Sequence, residues 1–186
     1  MIRAGFITAL LAGAAAAEER ILPFPIALGG AFSLVDDAGE ARSEAAPDAD
    51  LQLLFFGYAS CQQICSAALP LMGAAAEELA ADGITAVPVM VTVDPERDRP
   101  GTMGAKLTAH HPAFEGLTGT GEELQAVYDL FAVEKEVLFR EPDGAPVYAH
   151  GSHIYVLDGA GAVLTLVPPI LEPERIAEIA ASYVVR

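Results

Sequence analysis

Residues 51–72 read LQLLFFGYASCQQICSAALPLM, and this stretch decides the fold. Leu51 to Tyr58 is a nearly continuous apolar run, the pattern of a strand buried on both faces. Cys61 follows almost at once. A helix is predicted from about Gln63 to Asp82, with Gly83 as its C-terminal stop. Pro70 falls inside it and is expected to kink the helix or shift its start. The only two cysteines of the chain, Cys61 and Cys65, sit where the strand feeds the helix. Four positions apart, they share one helix face if the helix begins there. A helix N-terminus also favours thiolate over thiol, so low pKa values are expected for both. One face and two sulfurs describe a redox dithiol or part of a metal site.

Working outward, Ala31–Val35 reads as a strand that turns at Asp36-Asp37-Ala38-Gly39 into a hairpin. Ile84–Val93 is a second buried strand, ended by Asp94-Pro95. Helices are predicted at about Thr102–His110, Glu122–Ala132 and Pro173–Tyr183. Strands are predicted at Val133–Phe139, Ile154–Leu157 and Val163–Val167, the last two joined by a tight turn at Gly159–Gly161. This order implies an α/β protein of thioredoxin-like architecture, with an N-terminal β-hairpin extension and helices on both faces of a mixed sheet.

The first 20 residues, MIRAGFITALLAGAAAAEER, read as a targeting segment. Arg3 is a minimal positive region, and Ala4–Ala17 is uncharged and ends in small residues. At 14 residues the run is short of the roughly 20 that span a bilayer. The expected organisation is a signal peptide at 1–17, a lead-in at 18–30 and one domain at 31–186. The mature chain is then exported, periplasmic and soluble, with its thiols in an oxidising compartment. The alternative is an uncleaved N-terminal anchor.

The chain has 186 residues, 53% of them hydrophobic, which excludes general disorder. Roughly a fifth of the chain is alanine, so that figure overstates its greasiness. Ten basic against 26 acidic residues give a net charge of −16, and no basic footprint for nucleic acid is present. A disulfide between Cys61 and Cys65 would add only about 2 kcal/mol by loop entropy, against about 4.7 for a hundred-residue loop. That is a poor place for a chain's only staple, so the pair points to chemistry.

The four histidines are His110, His111, His150 and His153. His110 and His111 fall at a predicted helix end before Pro112, where they suit the dipole and solvent. His150 and His153 lie in VYAHGSHIY, in a loop leading into a strand. With two thiolates, one of these imidazoles completes a Cys-Cys-His set that suits Cu(I) and also holds Cu(II).

These blocks together resemble the Sco/SenC family of copper-binding, thioredoxin-fold proteins. FFGYASCQQICSAALPLM is similar to the family's strand, Cys-x-x-x-Cys and helix. TVDPERDRP at Thr92–Pro100, FEGLTGTGEELQAVYDLFAV at Phe114–Val133 and HGSHIYVLDGAG at His150–Gly161 follow in the family's order. The resemblance covers about residues 30–183. It implies a copper site made by Cys61, Cys65 and the histidine five residues before Tyr155, which is His150. His153 maps to a position usually held by a non-ligand, and the block around Asp94 to a structural turn. Gln62-Gln63 and Ser66 stand where the family typically carries Pro-Asp and Pro, and Ala149 stands where aspartate is common.

The resemblance implies a metallochaperone that binds one copper and supports assembly of the dinuclear copper site of cytochrome c oxidase. Its partners would be cytochrome c oxidase subunit II or another copper acceptor and an unidentified copper donor, which bring it close to a membrane. The other reading is a thiol–disulfide oxidoreductase, in which Cys61 attacks a partner disulfide and Cys65 resolves the mixed disulfide. His150 discriminates the two: copper retention needs it, and thiol exchange does not. A peroxidase reading lacks any specific signature in the chain.

Overall fold

The structure is a computed structural model that describes residues 27–61 and 64–184. The expected signal peptide and most of the lead-in lie outside the described residues. The chain opens with β1 (Ser33–Val35) and β2 (Ala41–Ser43), the expected hairpin. β3 (Leu51–Gly57), α1 (Ile64–Ala81) and β4 (Ala86–Thr92) follow. Next come α2 (Gly104–Leu107), β5 (Glu115–Leu117), α3 (Gly121–Leu130), β6 (Glu136–Arg140) and β7 (Pro146–Ala149). β8 (Ile154–Asp158), β9 (Val163–Val167) and α4 (Pro173–Ala181) complete the fold.

The central sheet has the order β5-β4-β3-β8-β9. β4 and β5 run parallel to β3, while β8 pairs antiparallel with β3 and β9 antiparallel with β8. β3 is central, and all seven of its residues are buried. That is why LQLLFFG reads as an unbroken apolar run: there is no solvent face to alternate with.

The two faces of β3 are read from adjacent phenylalanines. Phe56 packs its ring against Phe131 at 5.3 Å, Tyr155 at 5.7 Å and Tyr128 of α3 at 6.0 Å. Phe55 points the other way, toward α1. A side chain at Gly57, on the same face as Phe55, would meet the Phe55 ring and the sulfur of Cys65. Helices therefore cover both faces, α3 on one and α1 with its neighbour α4 on the other.

The buried Gln52 sits on the Phe56 face and is fully used. Its amide donates to the Glu44 and Asp158 carbonyls at 2.7 and 3.1 Å, and its oxygen accepts from Arg42 at 2.9 Å. Arg42 also pairs with Glu115 at 2.9 Å, so the β1–β2 hairpin is clamped to the sheet.

Several elements differ from the sequence expectation. α1 continues through Pro70 and does not begin after it. Pro70 is on the exposed face, where water can serve the carbonyl that its missing N–H leaves. α2 is one turn long and ends at Leu107, so His110 and His111 lie beyond it. There the His110 carbonyl packs against Gly73 of α1, and the His111 imidazole Nδ1 accepts the Ala113 N–H at 3.2 Å. β6 starts at Glu136, three residues later than predicted, and is not part of the central sheet. It forms its own two-stranded ribbon with β7, which the sequence reading took as loop.

Phe56→Ala is expected to lower unfolding stability by about 3–5 kcal/mol, the usual cost of emptying a fully buried phenylalanine site. Phe139→Ala, on the 52% exposed ribbon face, is expected to stay within about 0.5 kcal/mol. Denaturant unfolding of the two variants beside the parent checks both.

Candidate metal centre

Three segments meet at one end of β3. The first is the turn after the strand, where the N–H of Cys61 donates to the Tyr58 carbonyl at 3.0 Å. The second is the start of α1, which carries Cys65. The third is the segment after β7, which carries His150. The first is braced from behind. The Asp98 carboxylate accepts the Ala59 N–H at 2.9 Å and the Thr92 hydroxyl at 2.8 Å, joining the turns after β3 and β4. Val93 N–H donates to the Gly57 carbonyl at 2.7 Å, and the Tyr128 hydroxyl donates to the Thr92 carbonyl at 2.7 Å.

Cys61, Cys65 and His150 come together: their sulfurs and an imidazole nitrogen all lie within 4.8 Å of one another. Cys65 is fully buried, while Cys61 and His150 are partly exposed. Cys61 and Cys65 are not joined in a disulfide. The Nε2 of His150 is 3.5 Å from the Cys65 sulfur, and its Nδ1 is 2.9 Å from the Gly151 carbonyl. A carbonyl only accepts, so the Gly151 contact assigns the ring proton to Nδ1. The Nε2 lone pair is thereby turned toward the sulfurs, as a ligating imidazole requires. The ring is held edge-on by Phe55 at 5.7 Å and by Tyr58 at 6.0 Å.

The donor set fits a soft cation. Metal–sulfur and metal–nitrogen bonds of roughly 2.0–2.3 Å place the donors of a trigonal centre roughly 3.5–4 Å apart. The observed triangle therefore has to close by about 1 Å at most. Two thiolates and an imidazole suit Cu(I).

The electrostatics differ from the expectation of two acidic thiols. The Cys65 thiol is pushed well above the ordinary thiol range, first by its hydrogen bond to Cys61 and then by burial. The helix N-terminus does not overcome these two effects, because a second negative sulfur beside the first is costly in a dry site. A bound cation relieves that repulsion. The Tyr58 phenol is pushed up to about 12, mainly by burial and then by the neighbouring Cys61.

His153 is exposed and is not among the three converging ligands. It shares with His150 the wall of an open groove of about 1120 Å³ that also includes Tyr128 and Lys135. Asp94 is fully buried and ion-paired with Arg97, as suits a structural turn. Its Oδ1 has no hydrogen-bond partner. The sequence reading missed the ring of side chains behind the ligands. The Arg97 guanidinium stands 5.3 Å from the Tyr58 ring centroid, and the Lys135 ammonium 4.6 Å from that of Tyr148. Tyr58 lies three residues before Cys61, but nothing in its spacing marks it out from an ordinary core aromatic.

The family model described as SCO1/SenC matches residues 22–185. The chain belongs to the SCO1/SenC family. Among curated relatives, it is 33% identical over 150 residues to an SCO2-like protein of Rickettsia felis, covering 80% of this chain and 73% of that protein. Among solved structures of the family, Arabidopsis thaliana ScoI with copper bound superposes with a TM-score of 0.78 at 27% identity, over 84% of this chain and 97% of that one. Bradyrhizobium japonicum ScoI with copper bound gives 0.75 at 29% identity, over 84% and 99%. The thioredoxin-like architecture expected of an SCO1/SenC protein is the one observed.

At neutral pH, iodoacetamide is expected to modify Cys61 first and Cys65 far more slowly, because Cys65 is buried and its thiol is held protonated. Peptide mapping by mass spectrometry at short reaction times reads the order directly. Equal rates at the two sulfurs would contradict this account of the site.

Proposed function

We propose that this SCO1/SenC protein is a copper metallochaperone that binds one copper ion through Cys61, Cys65 and His150. The observation that carries the reading is the convergence of exactly the three donors that the Sco/SenC resemblance implies. Two copper-bound structural relatives on the same fold support it. Copper is the cargo. Three protein donors leave room for a fourth ligand, which an acceptor can supply before any of the three lets go. The groove beside His150 gives that ligand a way in. The imidazole is the uncharged ligand of the three, so it is the one to be exchanged first, leaving the two sulfurs to release the ion last.

The acceptor we propose is the dinuclear copper site of cytochrome c oxidase subunit II, with export to the periplasm through a signal peptide at residues 1–17. The domain would then be 31–186, after the lead-in at 18–30. Thiol–disulfide exchange by the Cys61/Cys65 pair is the second reading. It is favoured by one observation: a half-exposed sulfur beside a buried one is the arrangement of an attacking and a resolving thiol.

Titration of the reduced protein with Cu(I) against a competing chelator is expected to give one tight site. Loss of an outer partner of a metal ligand typically weakens binding about 10–100-fold, so His150→Ala is expected to cost at least about 100-fold. Binding indifferent to His150→Ala would sink the copper reading and leave thiol exchange.

A further inference from the structure

Tyr58 is 3% exposed, and each part of it touches the centre. Its carbonyl accepts the N–H of Cys61. Its hydroxyl lies beside the side chain of Cys61 and the backbone N–H of Tyr148. A phenol has one proton to give. Placed there, the hydroxyl has that proton to give to the Cys61 sulfur. The ring edge packs on His150 at 6.0 Å and 79°, and on Tyr148 at 5.8 Å and 82°.

The ring is itself fixed from outside. Arg97 stands over it, and Arg97 is anchored by the buried Asp94 and by a hydrogen bond to the Pro146 carbonyl at 2.8 Å. Pro146 and Tyr148 both belong to β7, the strand that leads into His150. Tyr58 therefore ties together the turn that carries Cys61 and the ribbon that carries His150. Cys65 needs no such help, since it is packed into the core against β3.

We propose that Tyr58 is the positioning residue of this copper site, holding Cys61 through its hydroxyl and His150 through its ring, so that it sets the coordination geometry of the bound ion. The proposal rests on the copper reading above. Its two halves are separable. Phenylalanine keeps the ring and loses the hydroxyl; leucine loses both.

The test uses the purified reduced protein with Tyr58→Phe and Tyr58→Leu, in a copper arm and a metal-free arm. With copper, Tyr58→Phe is expected to keep one-to-one binding, lose about tenfold in Cu(I) affinity and displace the sulfur-to-Cu(II) charge-transfer band. Tyr58→Leu is expected to move both further. Without metal, the His150 ring resonances are expected to hold in Tyr58→Phe and shift in Tyr58→Leu, and the rate of Cys61 alkylation is expected to change in both. A purely structural tyrosine would lower the melting temperature while leaving the band, the resonances and the alkylation rate at their parent values, and that result overturns the proposal. Failure of the parent protein to bind copper would instead overturn the copper reading. The metal-free arm then decides the contacts of Tyr58 by itself, and unmoved His150 resonances in Tyr58→Leu overturn them.

Discussion

A Cβ added at Gly57 would lie 3.0 Å from the Cys65 sulfur and 2.8 Å from the Phe55 ring. The centre depends on that close approach. Because β3 ends in a residue without a side chain, the first turn of α1 can sit directly over the strand end. Cys65 then becomes at once a core residue and a donor. Its sulfur is packed against the sheet like a leucine of the core, and Cys61 and His150 are brought to it from the turn after β3 and the segment after β7. Rigid elements hold a donor more precisely than loops do. The fold thus provides one candidate donor packed into the core and two carried by connecting segments, which suits the hold-and-release of the proposed chaperone role.

The burial that fixes Cys65 also sets its chemistry. Two sulfurs side by side in a dry site resist being negative together. Without a cation, Cys65 keeps its proton. Binding a soft cation must expel that proton, so metal capture and thiol chemistry compete for the same sulfurs. The chaperone and exchange readings are therefore two uses of one electrostatic arrangement, and His150 separates them.

Much of this was legible in the sequence, for specific reasons. LQLLFFG announced a central strand because a strand buried on both faces has no polar positions. Cys61 and Cys65 were legible by spacing, and His150 only through the family resemblance, since a loop histidine beside a strand has no signature of its own. β5 was not legible: Glu115–Leu117 is a strand only through its pairing with β4. β7 was hidden because it starts at a proline and pairs only with β6, through a register that shifts at Val137–Phe139. The length of α2 was overestimated because Asp37 takes the Met103 N–H at 2.9 Å, and the Thr108 hydroxyl bonds back to the Gly104 carbonyl at 2.8 Å. Those are tertiary and local side-chain contacts that periodicity does not register. The thiol acidity was misjudged for the same reason: helix position is readable in sequence, whereas a neighbouring sulfur and the depth of burial are not.

In the proposed copper centre two sulfurs and one imidazole close on a single ion. X-ray absorption at the copper edge of the Cu(I)-loaded protein tests it most directly. Two sulfur scatterers and one nitrogen are expected around the copper, with the outer-shell scattering of an imidazole ring that vanishes in His150→Ala. A shell of two sulfurs alone, identical in the parent and in His150→Ala, would contradict it.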